Sequence, residues 1–257
     1  MGFKVRGYTR NVPQEKVRDY SLFAIATEGT EREPDYFRLF DGIDRIKVDI
    51  IEPELLDEEN EQEKRRASSP SKVLEKVKAY IAENQLSAED GDSLWCVIDV
   101  DRWPQEQIKE LHAFCSQKDN WHLVISNPSI EIWLLYHKRA DLTDFGIQTA
   151  KDAKQVLDKI EKGGYYYIKY LPLMLDAIEN AHNADSNPDD YMPELLHTKV
   201  YQLGRSLYER MGKVRFEKFI ASLPDIEKEI LQCVRHGIAH WGLRIQIQEK
   251  MACCMWV

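Results

Sequence analysis

The sequence predicts an α/β protein with a parallel four-stranded sheet flanked by helices, followed by a helical C-terminal part. Apolar runs typical of buried strands alternate with segments of helical periodicity over residues 21–138, and this alternation favours a parallel sheet with right-handed crossovers. The strand signal fades after residue 145, where the remaining segments indicate mainly helices. We therefore expect an α/β domain at 1–145 and a helical region at 146–257 packed on it.

Each predicted element has a local reason. Apolar or β-branched runs predict strands at 21–27, 46–51, 94–99 and 121–126. Helical periodicity predicts helices at 33–42, 70–84, 104–117 and 128–138, and beyond residue 145 at 149–161, 169–183, 195–212 and 225–250. Pro34 suits the first turn of a helix, and the pairs Ser69-Pro70 and Asn127-Pro128 each supply an N-cap followed by proline.

Composition and charge limit the classes of function. An apolar fraction of 43% in 257 residues supports a sizeable core, and a net charge of −9 argues against tight non-specific binding of nucleic acid by the whole surface. A local basic groove remains compatible with that charge. No apolar run reaches the roughly 20 residues of a membrane span. Five scattered cysteines without Cys-x-x-Cys spacing are typical of reduced thiols, so we expect a cytoplasmic protein that does not contact a membrane.

Acidic residues follow the ends of the predicted strands. Glu28 comes directly after the first strand, Asp99 and Asp101 stand at the end of the third, and Glu131 follows the fourth. The carboxyl ends of parallel strands lie along one edge of a sheet, where open α/β sheets bind ligands. Carboxylates gathered there repel one another unless a cation lies between them, and Mg²⁺ prefers such oxygen ligands. The pattern therefore predicts a site for Mg²⁺ (or Mn²⁺).

Each of these residues also has a plainer interpretation. Asp99-x-Asp101 is a common loop or helix-cap pattern, and Glu28 before Gly29 also suits a solvated strand-to-helix turn. Glu131 lies in a predicted helix that is apolar nearly all round, which implies burial. A buried carboxylate needs either a metal ion or a paired Arg or Lys, and the sequence leaves both open.

Four further residues are candidates for contacting nucleic acid. Arg102 either contacts phosphate or balances its acidic neighbours, and Asn127 either caps a helix or points its amide at a phosphate. Lys169 and Lys199 are candidates for stabilising the leaving group of a phosphodiester. No Walker A sequence is present, so ATP hydrolysis by this chain is not expected.

Taken together, these motifs resemble the RloB-like family. The resemblance covers most of residues 20–212 and implies a Toprim-type fold in which Glu28, Asp99 and Asp101 form the core of the site. It also implies a prokaryotic defence setting beside restriction systems, often with an ATPase encoded nearby. The segments that carry it are Glu28-Gly29-x-Glu31 with Tyr36-Phe37, Asp99-x-Asp101-Arg102, Ser126-Asn127-Pro128-x-x-Glu131-x-Trp133-Leu134-Leu135 with His137, Tyr167-x-Lys169, and Thr198-Lys199-Val200-Tyr201.

Two hypotheses of different classes follow. The first is a Mg²⁺-dependent nuclease that hydrolyses DNA or RNA in an anti-phage or restriction-linked system, with an ATPase as partner protein. In it, Asp99 and Asp101 hold the metal together with Glu131, and Glu28 binds a second ion or acts as general base on the attacking water. The second hypothesis is a non-catalytic subunit that docks on an ATPase and senses nucleic acid. A homo-oligomer is compatible with both.

Overall fold

The computed structural model of the protein describes residues 20–29, 32–43, 45–52, 69–100, 103–161 and 167–223. Three of the residues singled out in the sequence, Glu31, Asp101 and Arg102, lie outside the described residues, and so does the helix expected at 225–250. No helix in the described part of the chain is both long and apolar enough to cross a membrane.

Four parallel strands form one sheet. They are β1 (Ser21–Thr27), β2 (Ile46–Ile51), β3 (Ser93–Asp99) and β4 (Trp121–Ser126). The spatial order is β2-β1-β3-β4, and every neighbouring pair is parallel. The chain leaves β1 towards β2 on one side and later returns to β3 on the other side. The junction of β1 and β3 is therefore the switch point at which such sheets bind ligands. The predicted α/β class is confirmed, and the architecture is consistent with the Toprim-like fold.

Helices connect the strands and then continue alone. They are α1 (Arg32–Arg38), α2 (Pro70–Glu83), α3 (Gln105–Cys115), α4 (Glu131–Tyr136), α5 (Ala150–Ile160), α6 (Met174–Ala184), α7 (Val200–Met211) and α8 (213–223). Short 3₁₀ turns lie at Thr143–Phe145, Tyr167–Lys169 and Leu171–Leu173. α2 begins as predicted, because the Ser69 hydroxyl accepts the N–H of Lys72 at 3.3 Å and Pro70 is the first helical residue.

Three predicted helices begin later in the structure than expected. The one expected at 195–212 begins at Val200, and the other two differ as follows. The helix expected at 128–138 begins only at Glu131, because the backbone of Asn127 pairs with another segment instead: its N–H donates to His197 and its carbonyl accepts from Leu196, both at 2.9 Å. The helix expected at 169–183 consists of 3₁₀ turns followed by α6, and Pro172 lies in the second turn. Both differences place irregular backbone directly before a regular helix.

The sheet separates two apolar layers, and side chains alternate between them along each strand as the strand geometry requires. On one face, Ala24, Cys96 and Ile98 pack with α2 and α3. On the other face, Ile25 and Val97 pack with α1 and α4, and this core continues without a break through α5, α6, α7 and α8. The described residues of the two parts expected at 1–145 and 146–257 therefore share one core.

Candidate functional site

The two central strands bring their acidic ends into contact. Glu28 directly follows β1 and is 8% exposed. Its Oε2 accepts the backbone N–H of Asp99 at 3.1 Å, and its Oε1 accepts the indole N–H of Trp103 at 2.8 Å. Thr27 lies opposite Val97 in the parallel ladder, so the residue after β1 necessarily lies beside the end of β3. Two of the residues chosen from the sequence thus meet at the switch point of the sheet.

Glu131 reaches the same edge from the start of α4. Its side chain is buried, its Oε2 accepts the hydroxyl of Ser129 at 2.5 Å, and its Oε1 forms an ion pair with the guanidinium of Arg32. The sequence left open whether this carboxylate binds a metal or a basic residue. The structure supplies an arginine from the first residue of α1.

A fourth carboxylate, Glu33, was missed by sequence reasoning. It is buried in α1, and its carboxylate lies so close to Gly29 that a β-carbon at position 29 would clash with it. That close approach explains the glycine. Sequence analysis named Glu31, in the motif Glu28-Gly29-x-Glu31, but not Glu33, and the helix dipole ordinarily explains an acidic residue in the first turn of a helix. The feature of the sequence that could have indicated Glu33 is its place directly before Pro34, in the first turn of the helix that follows β1.

Glu28, Glu33, Asp99 and Glu131, hereafter the edge carboxylates, influence one another electrostatically. Burial raises the pKa of Asp99 well above its usual range, and repulsion from the other three raises it further. The backbone N–H of Ile130, which donates to Asp99, opposes that rise. Burial also raises the pKa of Glu33, to which Glu131 adds, whereas Lys154 and Arg32 act in the opposite direction. The edge therefore disfavours negative charge on Asp99 and Glu33 unless a cation offsets it.

The edge carboxylates suit Mg²⁺ in donor chemistry, since all their donors are hard oxygens. Within the described ranges, no group of three or more acidic, His or Cys side chains is spaced to hold a metal ion. Two of the carboxylates are engaged by other groups: Arg32 forms an ion pair with Glu131, and the Trp103 indole and the Asp99 N–H donate to Glu28. Asp101, a predicted ligand, lies outside the described residues. The donor set fits a divalent cation, but closing around one requires side chains to move.

Two residues expected to contact nucleic acid are instead part of the fold. The Lys199 ammonium is buried and donates to both carboxylate oxygens of Asp185 at 2.8 and 2.7 Å and to the carbonyl of Asn187 at 2.6 Å. An ammonium with all three donors satisfied inside the protein has none left for a phosphate, which corrects the expectation for Lys199. The Asn127 amide donates to the carbonyl of Pro193 at 3.0 Å and ties down that loop.

The other basic candidates differ in what the structure says of them. Lys169 is exposed in the 3₁₀ turn that packs beside α1, so its role at the edge stays a prediction. Lys154 is exposed on α5, and its charge lowers the pKa of Glu33, although no motif in the sequence indicated this residue. Arg32 was likewise not selected, because an arginine in the first turn of a helix carries no specific signal by itself.

The fold and this edge define a class: an α/β protein whose two central parallel strands end in a group of buried and half-buried carboxylates. The sequence model of the RloB-like protein family matches residues 23–207, and the chain belongs to that family. The matched span includes all four edge carboxylates, the six helices α1 to α6 and the greater part of α7. The comparison with curated proteins finds no match, and neither does the comparison with solved structures.

Proposed function

We propose that this protein is a Mg²⁺- or Mn²⁺-dependent phosphodiesterase of the Toprim type that hydrolyses DNA or RNA. The observation that carries the proposal is the contact between Glu28 and Asp99 at the switch point of the sheet, with Glu33 and Glu131 close enough to raise the pKa of Asp99. Buried carboxylates gathered at a ligand-binding edge are costly to the fold, and binding of a hard cation accounts for them.

Each acidic residue has its own role in the proposed hydrolysis. Asp99 and Glu131, with Asp101, would hold the cation, which when bound stabilises negative charge on the phosphate and the leaving oxygen. Glu28 is oriented by the Trp103 indole and the Asp99 N–H, and in this proposal it accepts a proton from the attacking water or takes part in holding a second ion. Asp99 must be ionised to serve as a ligand, so its raised pKa makes cation binding weaker at acidic pH.

Family membership supports the wider setting of the proposal. We place the protein in the cytoplasm of a prokaryotic cell, in an anti-phage or restriction-linked defence system with an ATPase partner. The net charge of −9 is compatible with a partner that supplies much of the basic surface for nucleic acid. Among the residues that the structure describes, Lys169 and Arg32 are the candidates for contacting phosphate at this edge.

The test is cleavage of labelled single- and double-stranded DNA and RNA with Mg²⁺ or Mn²⁺, with and without the genomically adjacent ATPase. We expect cleavage by the wild-type protein, none with Asp99→Ala, and full activity with the control Glu179→Gln, which changes an exposed acid on α6. Equal cleavage by wild type and Asp99→Ala would show that a contaminant cuts. Absence of cleavage under every condition would refute the nuclease proposal.

A second candidate is a non-catalytic subunit that docks on an ATPase and senses nucleic acid. It is favoured by one observation: Arg32 already balances Glu131, so an ion pair accounts for part of the buried charge. Calorimetric titration with Mn²⁺ separates the two functions. A nuclease binds Mn²⁺ and loses that binding in Asp99→Ala, whereas an adaptor shows no isotherm and retains its partner after the same substitution.

A further inference from the structure

Arg32 occupies an unusual position among the edge carboxylates. It is the first residue of α1, and its guanidinium forms an ion pair with Glu131, whose carboxylate is almost fully buried. The Arg32 side chain itself is 31% exposed, so its outer part reaches solvent at the sheet edge. Its charge also lowers the pKa of Glu33. Arg32 is thus a partly exposed cation that stands directly against a buried acidic group.

The ion pair and a bound cation make competing demands on Glu131. One carboxylate oxygen of Glu131 is engaged by the Ser129 hydroxyl and the other by Arg32. A divalent cation bound by Glu131 would bring two further positive charges beside the guanidinium, which like-charge repulsion opposes. Either the cation or Arg32 can therefore balance this carboxylate, and the two cannot do so well together.

From this geometry, and resting on the function proposed above, we infer that Arg32 is the resident counter-ion of Glu131 and the phosphate-binding residue of the site. Binding of the divalent cation transfers Glu131 from Arg32 to the cation. The released guanidinium then lies at the exposed rim of the same site, where its planar fork suits the oxygens of a phosphodiester. The exchange couples cation binding to substrate binding.

The first experiment measures Mn²⁺ affinity by calorimetry, without any turnover. In Arg32→Gln the amide still donates a hydrogen bond to Glu131 but carries no charge, so we expect Mn²⁺ to bind about tenfold more tightly than to the wild type. The control is Lys154→Gln, which removes an exposed charge that also reaches Glu33 and should change the affinity by less than about twofold. Thermal unfolding of each variant verifies that it is folded, and Arg32→Lys provides a second, charge-conserving variant with intermediate affinity.

The outcomes separate this inference from the proposed function. Equal tightening in Arg32→Gln and Lys154→Gln would mean that net charge alone is responsible, and it would overturn the exchange. Unchanged or weaker Mn²⁺ binding in Arg32→Gln would overturn it too, while leaving the metal site itself intact. No Mn²⁺ binding by the wild type or any folded variant would refute the proposed function, and the inference with it.

The second experiment tests the phosphate-binding role. A fluorescein-labelled single-stranded oligonucleotide is titrated with protein in Ca²⁺, and again in EDTA, with fluorescence anisotropy as the readout. We expect Ca²⁺ to tighten binding in the wild type and Arg32→Gln to lose about tenfold of that affinity in Ca²⁺ only. Affinity in Ca²⁺ that is the same for wild type and Arg32→Gln would overturn the phosphate-binding role.

Discussion

Two regions of this protein bury charged side chains, and they do so in opposite ways. Between α6 and α7, Lys199 and Asp185 form a closed ion pair in which the ammonium has three acceptors and the carboxylate also accepts the Tyr201 hydroxyl at 2.9 Å. At the carboxyl end of the sheet, Glu28, Glu33 and Glu131 raise the pKa of Asp99 by repulsion, and Arg32 forms an ion pair with Glu131. The first region satisfies its charges internally, whereas in the second the acidic side chains disfavour one another's ionisation.

The difference separates a structural role from the functional role that we propose for the sheet edge. A fully paired buried charge holds the chain in one arrangement, and here it fixes the loop whose Thr198 hydroxyl shares a 2.8 Å hydrogen bond with Ser126 at the end of β4. Buried carboxylates with raised pKa values destabilise the folded protein unless something else binds them, and such groups cluster at functional sites. Four predictions test this contrast.

The largest effect is expected from breaking the closed pair. Lys199→Met leaves Asp185 buried without its cation, so the free energy of unfolding in urea should fall by about 3–5 kcal/mol. The control Lys72→Met breaks an exposed pair with Glu75 on α2, and it should cost about 1 kcal/mol or less. Similar losses in both variants would contradict the structural role of Lys199.

Asp99→Asn should raise the free energy of unfolding, whereas Lys199→Met should lower it. The substitution removes a charge that burial and three neighbouring carboxylates disfavour, so the metal-free protein should become more stable, whereas an average substitution destabilises by about 1 kcal/mol. The matched variant Asp185→Asn removes a satisfied carboxylate and should lower the free energy of unfolding. Urea unfolding in EDTA at neutral pH measures both, and a loss of stability in Asp99→Asn would break the comparison.

The pH dependence of stability should reflect the raised pKa values of Asp99 and Glu33. The pKa values of Asp99 and Glu33 are higher in the folded than in the unfolded protein. At a pH between the unfolded-state and the folded-state pKa of each group, the folded protein therefore binds more protons than the unfolded protein does. Their contribution to the free energy of unfolding is fully present below the ordinary carboxyl pKa of about 4 and is lost as the pH rises through the raised values. Subtracting the profile of Asp99→Asn from that of the wild type isolates this slope. If the stabilities of the wild type and Asp99→Asn change with pH in parallel, the raised pKa of Asp99 is contradicted.

The smallest effect is expected at Gly29. In Gly29→Ala the new methyl group meets the Glu33 carboxylate, which can shift, so the cost in stability should be about 1 kcal/mol or less. Moving Glu33 within the edge carboxylates should nevertheless weaken Mn²⁺ binding several-fold in calorimetry. The control is Gly146→Ala, where the new β-carbon would meet no atom within 4 Å beyond its chain neighbours, but where φ is +64°. This substitution should lower stability through backbone strain and leave Mn²⁺ binding unchanged. Unaltered Mn²⁺ affinity in Gly29→Ala would separate Glu33 from the site.

Much of the fold could be predicted from local patterns in the sequence. The buried strands were located because apolar runs such as 21–27 and 121–126 are continuous, and α2 because Ser69 and Pro70 mark its start. Glu28 and Asp99 could be expected at the same edge, because strands joined by helices pair in parallel and their carboxyl ends share an edge. That β1 pairs directly with β3, which brings the two residues into contact, is a finding of the structure. The predicted features depend on short stretches of chain and on general rules of topology.

Partner choice among charged side chains could not be predicted in this way. Lys199 and Arg32 are both basic residues at the start of a helix, yet Lys199 is closed off by Asp185 while Arg32 meets Glu131, ninety-nine residues away in sequence. Nothing local distinguishes them, because the energy of a charge depends on burial and on which opposite charges the fold brings near. The sequence by itself determined the strands, their parallel pairing and the acids at their ends. Only the tertiary structure decided the order of the strands and which opposite charge each buried ionisable side chain meets, because both depend on residues that are distant along the chain.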